Sequence, residues 1–510
     1  MKKVKYTPAG EDLLEWAREN GATVTNLQIY NEDSLKEVDR GVKARNTIAS
    51  GEEICFIPNA ILLSESVALN SEIGKLVANH LKESHAELIS PEHYPHGKEI
   101  ICMAVFMVYE KYEATDSHWA SYLNSLPKDY NLPVCWAPDA IAGLLGGTNL
   151  EYITFDRLRW FQQIVPAVEE CAGHLFNGTW NLENFLWAYA SITSRAFPKA
   201  KKDEKYGVDS STIESDWISI SELCLYPVLD MLNHKRGFKI EWRMKDNGVA
   251  FIAREEIPKG SDVFNNYGPK GNENLLGNYG FVLDPNPENY FKISLNNSLQ
   301  DPFILKRRDL FQKNSISRFH MLYEDDVGLK RDLLIAASIF VANEYELDCF
   351  EEYEGELDKL ELWRNRSIAL TTLYQLLDQK LRNHLSGEIQ MNSYVLRGDQ
   401  TPLHLAKVYR SGQITIIQNA MNLILKEYPK LLESKELCKS KTFFHIAHHG
   451  IDKKFQKKLG KLKSNEYLDE DVMLILCLIH SLYSSKSPWK PILTQYYESF
   501  STERCEELLL

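Results

Sequence analysis

Two stretches far apart in the chain carry the same residues at the same offsets: Ala44-Arg45-x-x-Ile48-x-x-Gly51 and Ala253-Arg254-x-x-Ile257-x-x-Gly260. Each lies in a β-type neighbourhood. Val42, Ala44, Ile54, Phe56 and Ile57 flank the turn Ala49-Ser50-Gly51-Glu52, a strand–turn–strand pattern stopped by Pro58. In the second stretch Phe238, Ile240 and Trp242 alternate with polar residues, and Asp246-Asn247-Gly248 supplies a hairpin signal. Val249, Phe251 and Ala253 resume the alternation, and the turn Ile257-Pro258-Lys259-Gly260 leads into Val263 and Phe264. Between the two pieces, residues 65–195 read as mainly helical. The two β-rich pieces are therefore expected to meet in space around a long helical insertion.

The insertion has recognisable members. Ile100–Tyr109 reads as a buried helix, and His118–Leu126 as a short one ended by Pro127. Asn181–Ala196 is another, with Leu182, Phe185, Leu186 and Tyr189 on one face. The polar, Lys-rich stretch 199–215 reads as an exposed loop. Upstream, Leu13, Leu14, Trp16 and Ala17 take helical spacing before Gly21. After about residue 300 the pattern is helical throughout. Leu333, Leu334, Ala337, Ile339 and Phe340 mark one helix, and Ile368, Leu370, Leu373, Leu376, Leu377 and Leu381 a second. Ile414, Ile417, Met421, Leu423 and Leu425 mark a third. The expected class is α+β: a β-rich domain over 1–290 with a helical insertion at about 65–215, then an all-α domain over 291–510.

The charge balance narrows the partners. With 58 Lys plus Arg against 71 Asp plus Glu, the formal net charge is −13. Grip on a phosphate backbone comes from cationic side chains, so direct nucleic-acid binding is not expected, and a basic protein partner is. The nine cysteines are odd in number and contain no C-x-x-C pair, which points to free thiols rather than a disulfide framework or zinc site. The start, MKKVKYTPAG, leads into no apolar h-region. The longest apolar runs, Ile100–Tyr109 and Val472–Ile479, are shorter than the ~20 residues of a membrane span. The expectation is a soluble, monomeric protein of the cytoplasm or nucleus with no membrane partner.

The richest segment runs from Tyr226 to Phe281. It sets Asp230-Met-Leu-Asn233-His234 before the hairpins, then Asn266-Tyr267-Gly268-Pro269-Lys270, and a short helix ending at Tyr279-Gly280-Phe281. Any one piece is commonplace; their order and spacing are not. Together they resemble the SET domain, in the class typified by RuBisCO large-subunit methyltransferase. The resemblance extends to the LLEWARENGA opening, to Asp39-Arg40-Gly41-Val-x-Ala44, to Ser194-Arg195-Ala196-Phe197, and to Tyr409-Arg410-Ser-Gly412-Gln413. The stretch before Gly41 departs from the glycine-rich form usual in that family.

The resemblance implies transfer of a methyl group from S-adenosyl-L-methionine to a lysine of a non-histone protein, with a ribosomal protein or translation factor as the expected substrate class. It implies that Tyr267 is the catalytic tyrosine. Asn233 and His234 would contact the cofactor, with Asp230 bracing their loop, and Arg195 would meet the methionine carboxylate through its planar fork of donors. Tyr279 and Phe281 would wall the lysine channel and stack near the adenine, and the loop Asp39, Arg40, Gly41 would close over the cofactor. No Cys cluster of the kind that closes histone-directed relatives follows Phe281, so the helical domain is expected to bind substrate.

Two rival readings share this architecture: histidine methylation, known from a branch that acts on actin, and a binding module that has lost activity. Tyr279, in place of a smaller residue, leans toward lysine. Other features read as structural. His445, His448 and His449 have helical metal-clamp spacing but no acid partner. The lysines between 439 and 463 read as a solvated face, and the sequon Asn177-Gly-Thr179 has no expected secretory route. No metal is expected.

Overall fold

The computed structural model describes residues 8–31, 40–198, 205–206, 222–298, 300–353, 363–394 and 401–432. In chain order the first part holds α1 (Pro8–Glu19), β1 (Leu27–Asn31), β2 (Arg40–Ala44), β3 (Glu53–Pro58) and β4 (Leu63–Ser64). The insertion follows with α2 (Glu65–Asn70), α3 (Glu72–Ser84), α4 (Gly97–Tyr112), α5 (Ala120–Ser125), α6 (Pro138–Leu145), α7 (Asn149–Ala172) and α8 (Leu182–Arg195). Then come β5 (Phe197–Pro198), β6 (Lys205–Tyr206), β7 (Leu223–Leu225), β8 (Ile240–Lys245), β9 (Gly248–Ala253), β10 (Asp262–Val263) and α9 (Asn272–Tyr279). The remainder is β11 (Tyr290–Ser294), α10 (Ile304–Lys313), β12 (Phe319–Tyr323), α11 (Arg331–Val341), α12 (Glu344–Glu352), α13 (Trp363–Ser393) and α14 (Thr401–Leu432).

The strands form small antiparallel sheets in the orders β1-β2-β10, β4-β7-β5, β3-β9-β8-β6 and β11-β12. The two matching stretches do meet, but not as two separate hairpins. In each, the strands before and after the turn go to different sheets, so β2 pairs with β10 and β3 with β9. The turns pair across an approximate two-fold. Ile48 and Ile257 exchange both backbone hydrogen bonds at 2.9 Å, while Gly51 N donates to Ala253 O and Gly260 N to Ala44 O, both at 2.8 Å. Gly51 and Gly260 hold φ of 87° and 80°, a region L-residues avoid, which explains a glycine at the same offset in both copies.

The α+β class holds, and α4 runs fully buried from Ile101 to Val108. The apolar face assigned to α8 needs correction: Leu182 is exposed and Leu186 only partly covered, whereas Phe185 and every residue from Trp187 to Thr193 are buried. That helix is enclosed on nearly all sides, so periodicity under-reports it. The alternation across β8 and β9 is likewise hidden, since β9 is buried at all six positions. Glu241 of β8 is buried beside Arg243 and Arg254. Lys205 and Tyr206 of the expected loop pair with β8; most of that loop lies outside the described residues, as do His445, His448, His449 and the lysines from 439 on.

The described residues fall into two compact units: one from the stretch up to Glu288 together with Gly387–Tyr409, the other from Asn289–Ser386 and the stretch from Arg410 on. The first unit's main core joins both β pieces to the insertion helices. A smaller cluster sets Leu276 of α9 with Leu150, Met391, Leu405 and Tyr409. The second unit packs α10 to α14 around Leu333, Ile339, Leu373 and Ile417. It is mainly helical as expected but adds the ribbon β11–β12, whose inward Phe291, Ile293 and Leu322 alternate too briefly to stand out in sequence. No described helix is long and apolar enough to cross a membrane, and the six described cysteines are free.

Candidate active site

The chain approaches the site through Val228, whose φ of 77° is unusual for a β-branched residue. A single 3₁₀ turn, Leu229–Met231, follows and directs Asp230 inward. The Asp230 carboxylate is buried and accepts a hydrogen bond from Tyr122 Oη at 2.6 Å, while the backbone oxygen of Asp230 accepts from Arg195 Nη1 at 2.6 Å. Burial pushes the Asp230 carboxyl up to about 6, with the Arg195 guanidinium pulling the other way. Arg195 stands at the last turn of α8, so the insertion delivers the cation and the β core delivers the acid.

Asn233 and His234 come next. Asn265 N donates to Asn233 O and Lys235 N to Asn265 O, both at 2.9 Å, a parallel bridge that brings the Asn-His pair beside the segment entering Tyr267. The side chain of Asn233 reaches across the site and donates from Nδ2 to Arg40 O at 2.6 Å. Tyr267 N donates to His234 Nδ1 at 3.0 Å, and Tyr267 Oη donates to Leu232 O at 2.8 Å. Three rings then form a column, with a fourth at its side. His234 stacks on Tyr267 with centroids 5.0 Å apart, Tyr267 stacks on Tyr279 at 5.2 Å, and Phe281 lies 6.3 Å from both His234 and Tyr279.

Burial sets the charge state of this column. It pushes the Tyr267 hydroxyl up to about 12 and raises that of Tyr279. It also draws His234 down to about 4, helped by the positive charge of Lys270. All three groups are neutral at ordinary pH. Lys270 is itself buried, its Nζ 5.7 Å from the centre of the Tyr279 ring, and burial draws its amine down to about 8.

Arg40 and Gly41 are not in a loop. They open β2 and pair with Asn31 and Tyr30 because the chain before Gly41 is needed to complete the β1–β2 ladder. Arg40 Nη1 donates to Ser125 O. Gly41 has a steric reason to be glycine, since a Cβ there would stand 2.5 Å from Tyr30 Oη. Tyr30 in turn donates to Asp262 Oδ1 at 2.6 Å. Asp39 lies outside the described residues.

The structure thus joins Arg40, Gly41, Arg195, Asp230, Asn233, His234, Tyr267, Tyr279 and Phe281 in one chain of contacts. Sequence reasoning missed Tyr122, Tyr130 and Lys270. Tyr130 hydrogen-bonds Ser191 of α8 at 2.8 Å beside Arg195, and it comes from the insertion like Tyr122, without a motif to announce it. The sequon is used locally: Asn177 and Thr179 both bond to the Glu113 carboxylate.

Comparison with known proteins follows the same lines. The SET domain family model matches residues 39–268. The ribosomal lysine N-methyltransferase set10 of Schizosaccharomyces pombe is 26% identical over 419 residues, covering 76% of this chain and 73% of that protein. The human actin-histidine N-methyltransferase is 23% identical over 356 residues, and the chain spans about half of that relative, 54%. Among solved structures, the SET domain of LSMT bound to MeLysine and AdoHcy matches with a TM-score of 0.64 at 18% identity, over 86% of this chain and 98% of that one. Rubisco LSMT bound to AdoMet matches with a TM-score of 0.62 at 18% identity, over 85% and 98%. These last two are likenesses of fold.

Proposed function

We propose that this chain, whose residues 39–268 match the SET domain family model and whose fold is like that of Rubisco LSMT, moves a methyl group from S-adenosylmethionine to the side-chain amine of a lysine in a non-histone protein. A ribosomal protein is the leading substrate class, supported by the fungal relative. In this reading the second, mainly helical unit selects the substrate, and the negative charge of the chain suits a basic one.

The observation that carries the proposal is the anchored Tyr267, its hydroxyl held on Leu232 O and its ring held between His234 and Tyr279. When bound, S-adenosylmethionine supplies an electrophilic methyl group on a positively charged sulfur. The residues around it fit such a ligand. Arg195 Nε is buried and makes no hydrogen bond among the described residues, which leaves a donor for a carboxylate. Asn233 Nδ2 ties the Asn-His loop to Arg40 O, next to Gly41, whose missing Cβ leaves room for the Tyr30 ring.

Tyr267 keeps its proton and spends it on Leu232 O, so its oxygen lone pairs are left to orient an amine and to meet polarised C–H groups. The attacking amine must be neutral, although a free lysine has a pKa of ~10.4. Lys270 gauges the medium: burial alone brings its amine to about 8. A substrate lysine entering the same surroundings sheds its proton to water more readily, and the column itself offers no strong base. π faces suit an aliphatic chain ending in a cationic or methylated nitrogen.

Histidine methylation is the second reading, favoured by the actin-directed relatives. Incubating the purified protein with methyl-labelled S-adenosylmethionine and whole-cell extract from cells lacking it, then mapping the label by mass spectrometry, separates the two. Methyl-lysine supports the proposal, methyl-histidine replaces it with the second reading, and no labelled protein of any kind rejects both.

A further inference from the structure

The helical insertion holds a separate polar cluster. His80 lies in α3, His85 caps that helix, and Glu170 stands near the end of α7. His80 Nε2 is 3.2 Å and His85 Nε2 is 3.0 Å from the same carboxylate oxygen, Glu170 Oε2, and the three ligand atoms all lie within 4.8 Å of one another. On a regular helix, residues five apart point about 140° away from each other. His85 escapes this because its backbone leaves helical geometry, at φ −141° and ψ 44°, and its ring comes to lie 5.3 Å from that of His80.

Two imidazole nitrogens converging on one carboxylate oxygen have a natural chemical reading. Around a zinc ion with bonds of ~2.0–2.1 Å in tetrahedral geometry, neighbouring ligand atoms stand ~3.3–3.5 Å apart. The two nitrogen–oxygen distances here, 3.2 and 3.0 Å, lie just below that range, and all three ligand atoms are within 4.8 Å of one another. Glu87 Oε1 lies 3.7 Å from His85 Nδ1, beyond hydrogen-bond distance but near enough for its negative charge to favour a cation at the cluster. The two histidine side chains are 22% and 24% exposed and that of Glu170 is 56% exposed, so an ion has a path in and water can complete the coordination.

We propose that His80, His85 and Glu170 form a zinc site that ties α3 to α7 within the insertion. It is separate from the residues assigned to methyl transfer and stands or falls without them. It is invisible in sequence because the acid lies 85 residues from its nearer partner, His85.

The test uses the full chain, stripped with a chelator and titrated with zinc ions by calorimetry, with thermal unfolding followed in parallel. The expected result is one zinc ion bound per chain at this site and a midpoint raised by zinc. The His80→Ala/His85→Ala double variant loses that binding event and the shift, while His93→Ala, at an exposed histidine outside the cluster, keeps both. Glu170→Gln keeps the size of the side chain and an acceptor oxygen but removes the charge. It should weaken zinc by more than about tenfold, and it carries the test if circular dichroism finds the double variant unfolded. A wild-type chain that binds no zinc, or zinc binding unchanged in the folded variants, overturns the proposal and leaves an ordinary hydrogen-bonded cluster.

Discussion

Tyr267 and His234 are locked to each other twice, by the hydrogen bond from Tyr267 N to His234 Nδ1 at 3.0 Å and by the stack of their rings at 5.0 Å. Nδ1 must stay unprotonated to accept that bond, which places the imidazole proton on Nε2. The position of the hydroxyl on Tyr267 therefore depends on a neutral histidine.

This coupling gives a pH dependence with a definite sign. Burial lowers His234 from 6.5 to about 4, so between those values the unfolded chain binds the proton and the folded chain does not. Stability must fall as pH drops from about 6.5 toward 4, and level off below that. Asp230 acts oppositely: raised from 3.8 to about 6, it makes stability fall as pH rises through that interval. Denaturant unfolding of wild type and His234→Gln at a series of pH values isolates the first effect, and the variant should lack the acid-side loss between 6.5 and 4.

Gly41→Ala should destabilise the fold by about 1–3 kcal/mol, the cost of over-packing, because its Cβ meets Tyr30 Oη at 2.5 Å. The displaced tyrosine would also lose Asp262. Combining it with Tyr30→Ala should give a loss smaller than the sum of the two single changes, which urea unfolding can read.

Tyr122→Phe removes the hydroxyl that satisfies the buried Asp230 carboxylate. An unpaired buried acceptor costs about 1–3 kcal/mol, and the unfolding midpoint should drop accordingly. The Asp230→Asn/Tyr122→Phe pair should recover part of that loss, since it takes the buried charge away with its donor.

Arg195→Lys keeps the charge but loses the planar fork. Its Nη1 holds Asp230 O while Nε is left for a ligand. Affinity for S-adenosylmethionine should fall by about tenfold to a hundredfold, the worth of a charged hydrogen bond. Calorimetry measures this directly, and the same titration applied to Asn233→Ala should give a loss of similar kind.

Much of the fold and of the site is legible in the sequence. The segment from Asp230 to Phe281 brings Asn233, His234, Tyr267 and Tyr279 together within one stretch, so order and spacing could reveal them. The matched Gly51 and Gly260 announced that two β pieces belong together, because only a backbone constraint repeats a glycine at one offset. Tyr122 and Tyr130 could not be read: they reach the site from the insertion, and a buried tyrosine looks like any core aromatic until its hydroxyl finds a carboxylate or a serine. The enclosure of α8 was hidden for a related reason, since small residues such as Ala188, Ala190 and Ser191 give no amphipathic signal when every side is covered. The return of Gly387–Tyr409 to the first unit was hidden too, because one helical pattern runs through both units.

The sharpest measurement is single-turnover methyl transfer by Tyr267→Phe at saturating S-adenosylmethionine, beside wild type, with cofactor affinity measured on the same samples. Loss of one oriented oxygen should slow transfer by about 10²–10³-fold while affinity stays near that of wild type. Transfer at the wild-type rate in that variant would contradict the assignment of Tyr267, and with it the proposed site.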